Sequence, residues 1–355
     1  MKANDAELAG LLLQAERAGK CLVPSCDRVR AILRRRAECG AVVRPMRGVY
    51  ASSACWNGLS RFDQALYVLR TVQELHPDWV FCHESAAVAF GLSVSYSSLD
   101  VVHVATSRSR RNVSSTNVRW HVISGDEPVV VRGLRVTSLS RTVFDCMRTS
   151  GFEQALAVAD SALRVSGKPS SWFVSRFKRL GSGHAHVADA VRTMYHADPL
   201  SESGGESIAR AVMIRQGFAL PELQVALPQP LHAGRFYRVD FLWTRLDGGR
   251  VLGEFDGMQK YEDAELLGGR SSLRALADER HREAQITLYG MPIVRFSYKD
   301  VMDQALFVKL LERYGIPRST ETALAERKLE RSRSDSAQVF TVRSFEDGPF
   351  EPFGA

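Results

Sequence analysis

The 355-residue chain contains no apolar run approaching the ~20 residues that a membrane span requires. Its opening, MKANDAELAG, is acidic and lacks the basic and apolar order of a secretory leader, so a cytoplasmic protein is expected. The six cysteines (Cys21, Cys26, Cys39, Cys55, Cys82 and Cys146) all fall in the first half without a CxxC pair. That spacing argues against a zinc site or a disulfide framework and favours buried, reduced thiols. No internal repeat is visible. Acid is nearly missing from RVRAILRRRAECGAVVRPMRG, where Glu38 stands alone against Arg28, Arg30, Arg34, Arg35, Arg36, Arg44 and Arg47.

What is present suits a globular protein: 45% of residues are hydrophobic and 25% charged. At ~150 residues per domain the length suggests two or three domains. A net charge of +7 and a pI near 9.2 point only generally to a polyanionic partner. The distribution of charge says more. Asn4 as N-cap, Glu7, and Leu8, Leu11, Leu12 and Ala15 at helical spacing predict a first helix ending at Gly19. A second helix is predicted from Ser25 or Asp27 to Cys39, with Val29, Ile32 and Leu33 inward and Gly40 as its stop. A short β-like hairpin follows, turning between Pro45 and Gly48.

Helix, helix and hairpin is the order of a winged helix-turn-helix over 1–56. Arg28, Arg30, Arg34, Arg35, Arg44 and Arg47 are then the candidate DNA contacts; a merely solvated charged face has the same composition. Successive helical residues are spread by about 100°, so Arg30 and Arg34 share one side and Arg36 tends toward another.

From 57 to 195 helical and strand-like stretches alternate, as in an α/β region. RFDQALYVLRTVQEL, HESAAVAFGL and GFEQALAVADSALRVS read as helices, and LDVVHVAT and VRWHVIS as strands. LRVTSLSRTVFDCMR reads as a strand entering a helix capped by Ser138 or Ser140, with Arg141 and Asp145 spaced for an i,i+4 pair. His83 beside Glu84 permits acid and base chemistry, but packing at a helix start is the simpler reading. HADPLSESGGE is a polar, glycine-bearing linker. A third unit, 201–317, contains a helix ESIARAVMIRQG, the segment PELQVALPQP, an acidic hairpin, a helix near SLRALADERHREAQITLYG and a strand MPIVRFSY. The tail, 318–355, has little periodic apolar content and is expected to be disordered or loosely docked.

The hairpin RVDFLWTRLDGGRVLGEFDGMQKY is the stretch expected to carry chemistry. With a side-chain period of two, Val239, Phe241 and Trp243 share one face and Asp240 and Leu242 the other. Leu252, Glu254 and Asp256 likewise oppose Val251, Gly253 and Phe255. The Asp-Gly-Gly turn pairs the two runs and brings three carboxylates together. Glu206, on the preceding helix, adds a fourth if that helix packs beside the hairpin. Phosphodiester hydrolysis requires hard oxygen donors for divalent ions, and Lys260 can orient water or offset negative charge. Against this, Arg238, Arg245 and Arg250 can neutralise such acids in surface pairs. Yet neither run holds an internal cation, and crowded like charges call for one.

GEFDGMQKY, followed by LADERHREAQITLYGMPIVRFSYKD, resembles the C-terminal domain of actinobacterial proteins related to AbiEi-family antitoxins. That domain is similar to very-short-patch-repair endonucleases and the PD-(D/E)XK nuclease fold. VVRPMRGVYA, CHESAAVAFGL and LRVTSLSRTVFD resemble the N-terminal part of the same antitoxin-like proteins. The resemblance covers most of residues 5–317. It implies a winged helix, a middle α/β region and a nuclease-like mixed sheet flanked by helices. Glu206, Asp240 and Glu254 match the family's acidic positions as Mg²⁺ ligands, with Mn²⁺ as a substitute. Asp256 lies in the EFDG element, and Lys260 matches the lysine of the KY pair. In the commonest nuclease pattern the lysine stands two residues after the second acid, where this chain has Asp256.

The leading expectation is therefore a DNA-binding protein with a metal-dependent endonuclease-like domain. The alternative is a non-catalytic DNA-binding antitoxin or repressor whose nuclease-like domain is a scaffold, with a nucleotidyltransferase-type toxin as partner. A carboxylate-pair hydrolase of small molecules or sugars leaves the arginine-rich helix without a role.

Overall fold

The computed structural model describes residues 2–107, 117–232, 234–257 and 285–319. The fold is mixed α/β, with twelve α-helices, several small sheets and a four-stranded mixed sheet near the C-terminus among these residues. No helix among them is long and apolar enough to cross a membrane.

The first helices are α1 (Lys2–Arg17) and α2 (Asp27–Glu38), followed by the antiparallel pair β1 (Val42–Met46) and β2 (Val49–Ser52). Leu8, Leu12, Leu33, Val42 and Tyr50 form their shared core, and Leu22 bridges to Tyr50. Leu33 is the fully buried residue of α2, which turns the arginines of that helix outward. The register of β1 and β2 shifts between Val43 and Met46, where Pro45 has no N–H to contribute. A short helix, α3 (Ser53–Gly58), begins at once with Ser52 as its N-cap.

Next come α4 (Arg61–Leu75), α5 (His83–Phe90), β3 (Val102–Thr106), β4 (Val118–Val122), β5 (Val129–Val131) and β6 (Leu134–Val136). They lead to α6 (Leu139–Thr149), α7 (Phe152–Ser166), α8 (Ser170–Leu180) and α9 (Val187–His196). β3 and β4 pair in parallel, and β5 and β6 form a hairpin. Phe81 bridges to Val104 on one side and Val136 on the other, so the residues before α5 lie between β3 and β6. A large core behind this layer includes Phe81, Val104, Phe144, Phe173 and Phe177. Ser138 caps α6, and Arg141 and Asp145 pair at 2.6 Å, as their spacing predicts.

The third segment contains α10 (Gly204–Arg215), β7 (Glu222–Pro228), β8 (Phe236–Thr244), β9 (Arg250–Asp256), β10 (Ile293–Ser297), α11 (Tyr298–Met302) and α12 (Gln304–Arg313). The sheet order is β10-β9-β8-β7: an antiparallel meander from β7 to β9, with β10 parallel to β9. Phe241, Trp243, Val251 and Phe255 pack on one face, and Leu242 and Leu252 on the other. Val239 departs from the predicted alternation and joins Leu242 and Leu252. It lies next to the point where Gln224, with φ at 52°, distorts β7. Most of the helix expected near 272–290 lies outside the described residues.

Two expected boundaries are packed rather than loose. Within the polar stretch after α9, Ser201 is fully buried and its carbonyl accepts from Arg164, while the Asp198 N–H donates to Asp160 at 2.8 Å. At the other end Arg318 bridges to Phe218 and stacks 3.9 Å over its ring, and the Ser319 N–H donates to the Gly217 carbonyl. The rest of the expected tail, 320–355, lies outside the described residues.

Gly205 matters to placement: a Cβ there would sit 2.2 Å from the Phe255 ring, so only glycine lets the start of α10 close on β9. Gly205→Ala is expected to destabilise the protein by about 1–3 kcal/mol. Gly10→Ala on α1, where nothing lies within 4 Å, should be neutral or stabilising by up to about 1 kcal/mol. Denaturant unfolding of the two variants checks the contrast.

Candidate functional site

Glu206 and Asp240 are neighbours where α10 abuts the sheet, and Glu254 and Asp256 lie on the adjacent β9. Ser203 caps α10 by accepting from the Glu206 N–H at 3.1 Å. Glu206 is 6% exposed; its Oε1 accepts from Ser203 Oγ at 2.7 Å, and its Oε2 accepts from the Glu202 N–H at 2.9 Å and Gln224 Nε2 at 3.1 Å. Asp240 lies one residue outside the paired position Phe241↔Gly253, and Glu254 one residue beyond it on β9. Asp240 Oδ2 accepts from the Phe255 N–H at 2.8 Å, tying its carboxylate to the strand that carries Glu254 and Asp256. Burial raises the pKa of Glu206, and the neighbouring Asp240 charge adds to that rise. Gln224 Oε1 is buried without a hydrogen-bond partner beside this cluster.

A cation does stand here, on a strand that the hairpin alone does not reveal. Parallel pairing sets Arg295 of β10 opposite Glu254, and its guanidinium lies 3.9 Å from Asp256. Of the hairpin arginines, Arg238 pairs with Glu202 at 2.6 Å and Arg245 with Asp247 at 2.9 Å. Lys260 lies outside the described residues.

The basic candidates lie on α2, on β1 and in the turn after it. Arg28, Arg30, Arg34, Arg35, Arg44 and Arg47 are all exposed, whereas Arg36 is half-buried. Arg30 pairs with Asp27 on its own helix, which leaves Arg34 the more available member of the Arg30–Arg34 pair.

A second polar group lies within the middle segment. His83 opens α5, as the packing reading expects, but two further histidines surround it. His83 and His121 stack with ring centroids 3.7 Å apart, and His103 Nδ1 is 2.9 Å from His121 Nε2. Glu84 Oε2 stands 3.5 Å from His103 Nδ1. Burial, followed by the neighbouring imidazoles, lowers the pKa of His83 to about 2 and of His103 to about 3. Burial also lowers His121 to about 4, against an opposing pull from Asp145. Among the described residues, the trio whose ligand atoms all lie within 4.8 Å of one another is Cys82, His83 and His121, rather than any three of the acids. Sequence spacing could not indicate this group, because His103 and His121 arrive on separate strands.

No family model matches the chain. It is similar to uncharacterized protein Rv2248 of Mycobacterium tuberculosis strain ATCC 25618 / H37Rv and uncharacterized protein MT2308 of strain CDC 1551 / Oshkosh. Identity to each is 33% over 171 residues, a distant homology covering 48% of this chain and 58% of each relative. The chain thus spans rather more than half the length of the curated relatives it matches.

The raised pKa of Glu206 has a signed consequence. The folded protein holds this proton to higher pH than the unfolded chain, so the group's contribution to stability is complete below about pH 4.5. It falls as pH rises through the raised value. Glu206→Gln should remove that fall. Denaturation midpoints of wild type and variant, compared across a pH series, should show their difference growing from acid toward neutral pH.

Proposed function

We propose that the protein binds DNA through an N-terminal winged helix-turn-helix and carries a C-terminal PD-(D/E)XK-like domain that hydrolyses phosphodiesters with Mg²⁺. The observation that carries this reading is the placement of Glu206, Asp240, Glu254 and Asp256 at one corner of a four-stranded mixed sheet. The donor set fits a hard cation: all are carboxylate oxygens, and Gln224 Oε1 is a buried acceptor lacking a donor at the same place. Mg²⁺ keeps several waters and needs only one or two protein carboxylates. The greater spread of these acids is therefore compatible with it.

Asp240 and Glu254 would hold the ion, with Glu206 behind them fixing Gln224, and with Mn²⁺ as an equivalent probe. When bound, Mg²⁺ offsets phosphate charge and lowers the pKa of a coordinated water. Arg295 supplies fixed positive charge near Asp256 that suits a developing phosphate anion, a role the sequence assigns to Lys260. On α2 and the β1–β2 turn, the exposed arginines favour phosphate contacts.

A non-catalytic antitoxin or repressor, with a nucleotidyltransferase-type toxin as partner, is the second reading. The hydrogen bonds closing both Glu206 oxygens favour it, because they give that acid a structural task. A toxin gene of that type beside this one would support it.

With Mg²⁺ or Mn²⁺ the purified protein should nick or cut DNA, and Glu254→Ala should lower the rate by about 10²-fold or more. An uncut panel of DNA substrates, with the variant indistinguishable from wild type, would remove the catalytic reading. Binding measured across salt should show Arg34→Ala reducing the logarithmic salt slope by about 1. Arg36→Ala, half-buried, should change it less; the reverse order would place the DNA on another face of α2.

A further inference from the structure

We infer that Cys82, His83 and His121 form a binding site for a thiophilic divalent metal ion, Zn²⁺ by its chemistry, separate from the acidic corner and from the arginine-rich helix. The three ligand atoms lie within 4.8 Å of one another. Their types, one cysteine sulfur and two imidazole nitrogens, match the protein ligands of a Zn²⁺ site. Oxygen-preferring Mg²⁺ and Ca²⁺ are disfavoured by such a set.

The backbone is built to bring these atoms together. Side chains of successive extended residues diverge, and Cys82 is extended, with φ at −143°. His83 has a positive φ of 48°, an uncommon conformation for a non-glycine residue, which turns its ring back toward Cys82. The Cys82 N–H donates to the His103 carbonyl at 3.0 Å, anchoring the turn to β3. His83 is 3% exposed, yet its Nδ1 is buried without a hydrogen-bond partner, a cost that a bound ion removes. His121 is half-buried, the most exposed of the three.

The surroundings suit a metal ligand as well. His121 Nε2 lies 2.9 Å from His103 Nδ1, which accepts its proton and leaves His121 Nδ1 as the ligating atom. A ligating histidine whose second nitrogen is held by a hydrogen-bond partner is the usual outer support of a bound ion. His103 is therefore a positioning residue here. Formation of the site releases the Cys82 thiol proton to solvent, and no redox change is involved.

The test uses the full-length protein, stripped with chelator and titrated with Zn²⁺ alone. Co²⁺ serves as the spectroscopic probe of a tetrahedral thiolate site. Stoichiometric Zn²⁺ uptake, a thiolate-to-cobalt charge-transfer band and a raised melting temperature are expected. Cys82→Ser should abolish the band. His121→Ala, at the half-buried position and with folding checked by circular dichroism, should abolish stoichiometric uptake. His103→Ala should weaken binding by about 10–100-fold. Cys26→Ser and Cys39→Ser, at exposed thiols, should leave binding unchanged. Absence of uptake would overturn the inference, as would uptake that survives His121→Ala or disappears with the exposed cysteines.

Discussion

The buried pair between Asp160 of α7 and Arg210 of α10 is the interaction on which the placement of the acidic corner depends. The two meet at 2.6 Å, with Asp160 fully buried and Arg210 nearly so. Burial raises the Asp160 pKa, and the Arg210 charge opposes that rise. The remaining bonding capacity is used: Asp160 Oδ1 accepts from the Asp198 N–H, and Arg210 donates to the His196 carbonyl at 2.9 Å. Removing one partner of such a pair typically costs about 3–5 kcal/mol, because it strands a charge away from water. The pair thus fixes α10 against α7, together with the packed segment between α9 and α10. Glu206 then reaches the sheet from a helix whose position is set elsewhere.

On that frame, the acidic corner is a compromise between folding and charge. Glu206 is closed by three hydrogen bonds, and Asp240 by one from the Phe255 backbone. Those bonds orient the carboxylates without neutralising them, and like charges held close oppose folding. Arg295 relieves part of this from β10, with its guanidinium 3.9 Å from Asp256. A corner that holds carboxylates in fixed orientation is suited to recruiting a cation. The same features serve a structural scaffold in which the hydrogen bonds alone suffice.

The histidine group shows a different balance. Three neutral imidazoles and a thiol occupy space where apolar side chains would pack at lower desolvation cost, and His83 adopts an uncommon backbone conformation within it. Nearby, Asp145 is buried and bound by both Arg141 and Arg148, at 2.6 and 2.9 Å. Polar residues concentrated in this way, surrounded by the largest apolar core, mark a place where tight packing alone does not explain the composition.

The elements governed by local spacing were legible in the sequence. The periodicity of RFDQALYVLRTVQEL and GFEQALAVADSALRVS matches α4 and α7, Ser138 caps α6, and Arg141 meets Asp145 one turn on. The Asp-Gly-Gly turn joins β8 to β9, and period two places Leu252 opposite Val251 and Phe255, because helical spacing and strand alternation are properties of neighbours. Tertiary structure decided what came from distant chain. Arg295 reaches the acids through parallel pairing, and His103 and His121 gather at His83 from two strands. Ser201, polar and next to a glycine-bearing stretch, is buried by α7 and its neighbours. Such contacts depend on which surfaces meet once apolar faces are covered, and no short-range pattern in the sequence encodes that choice.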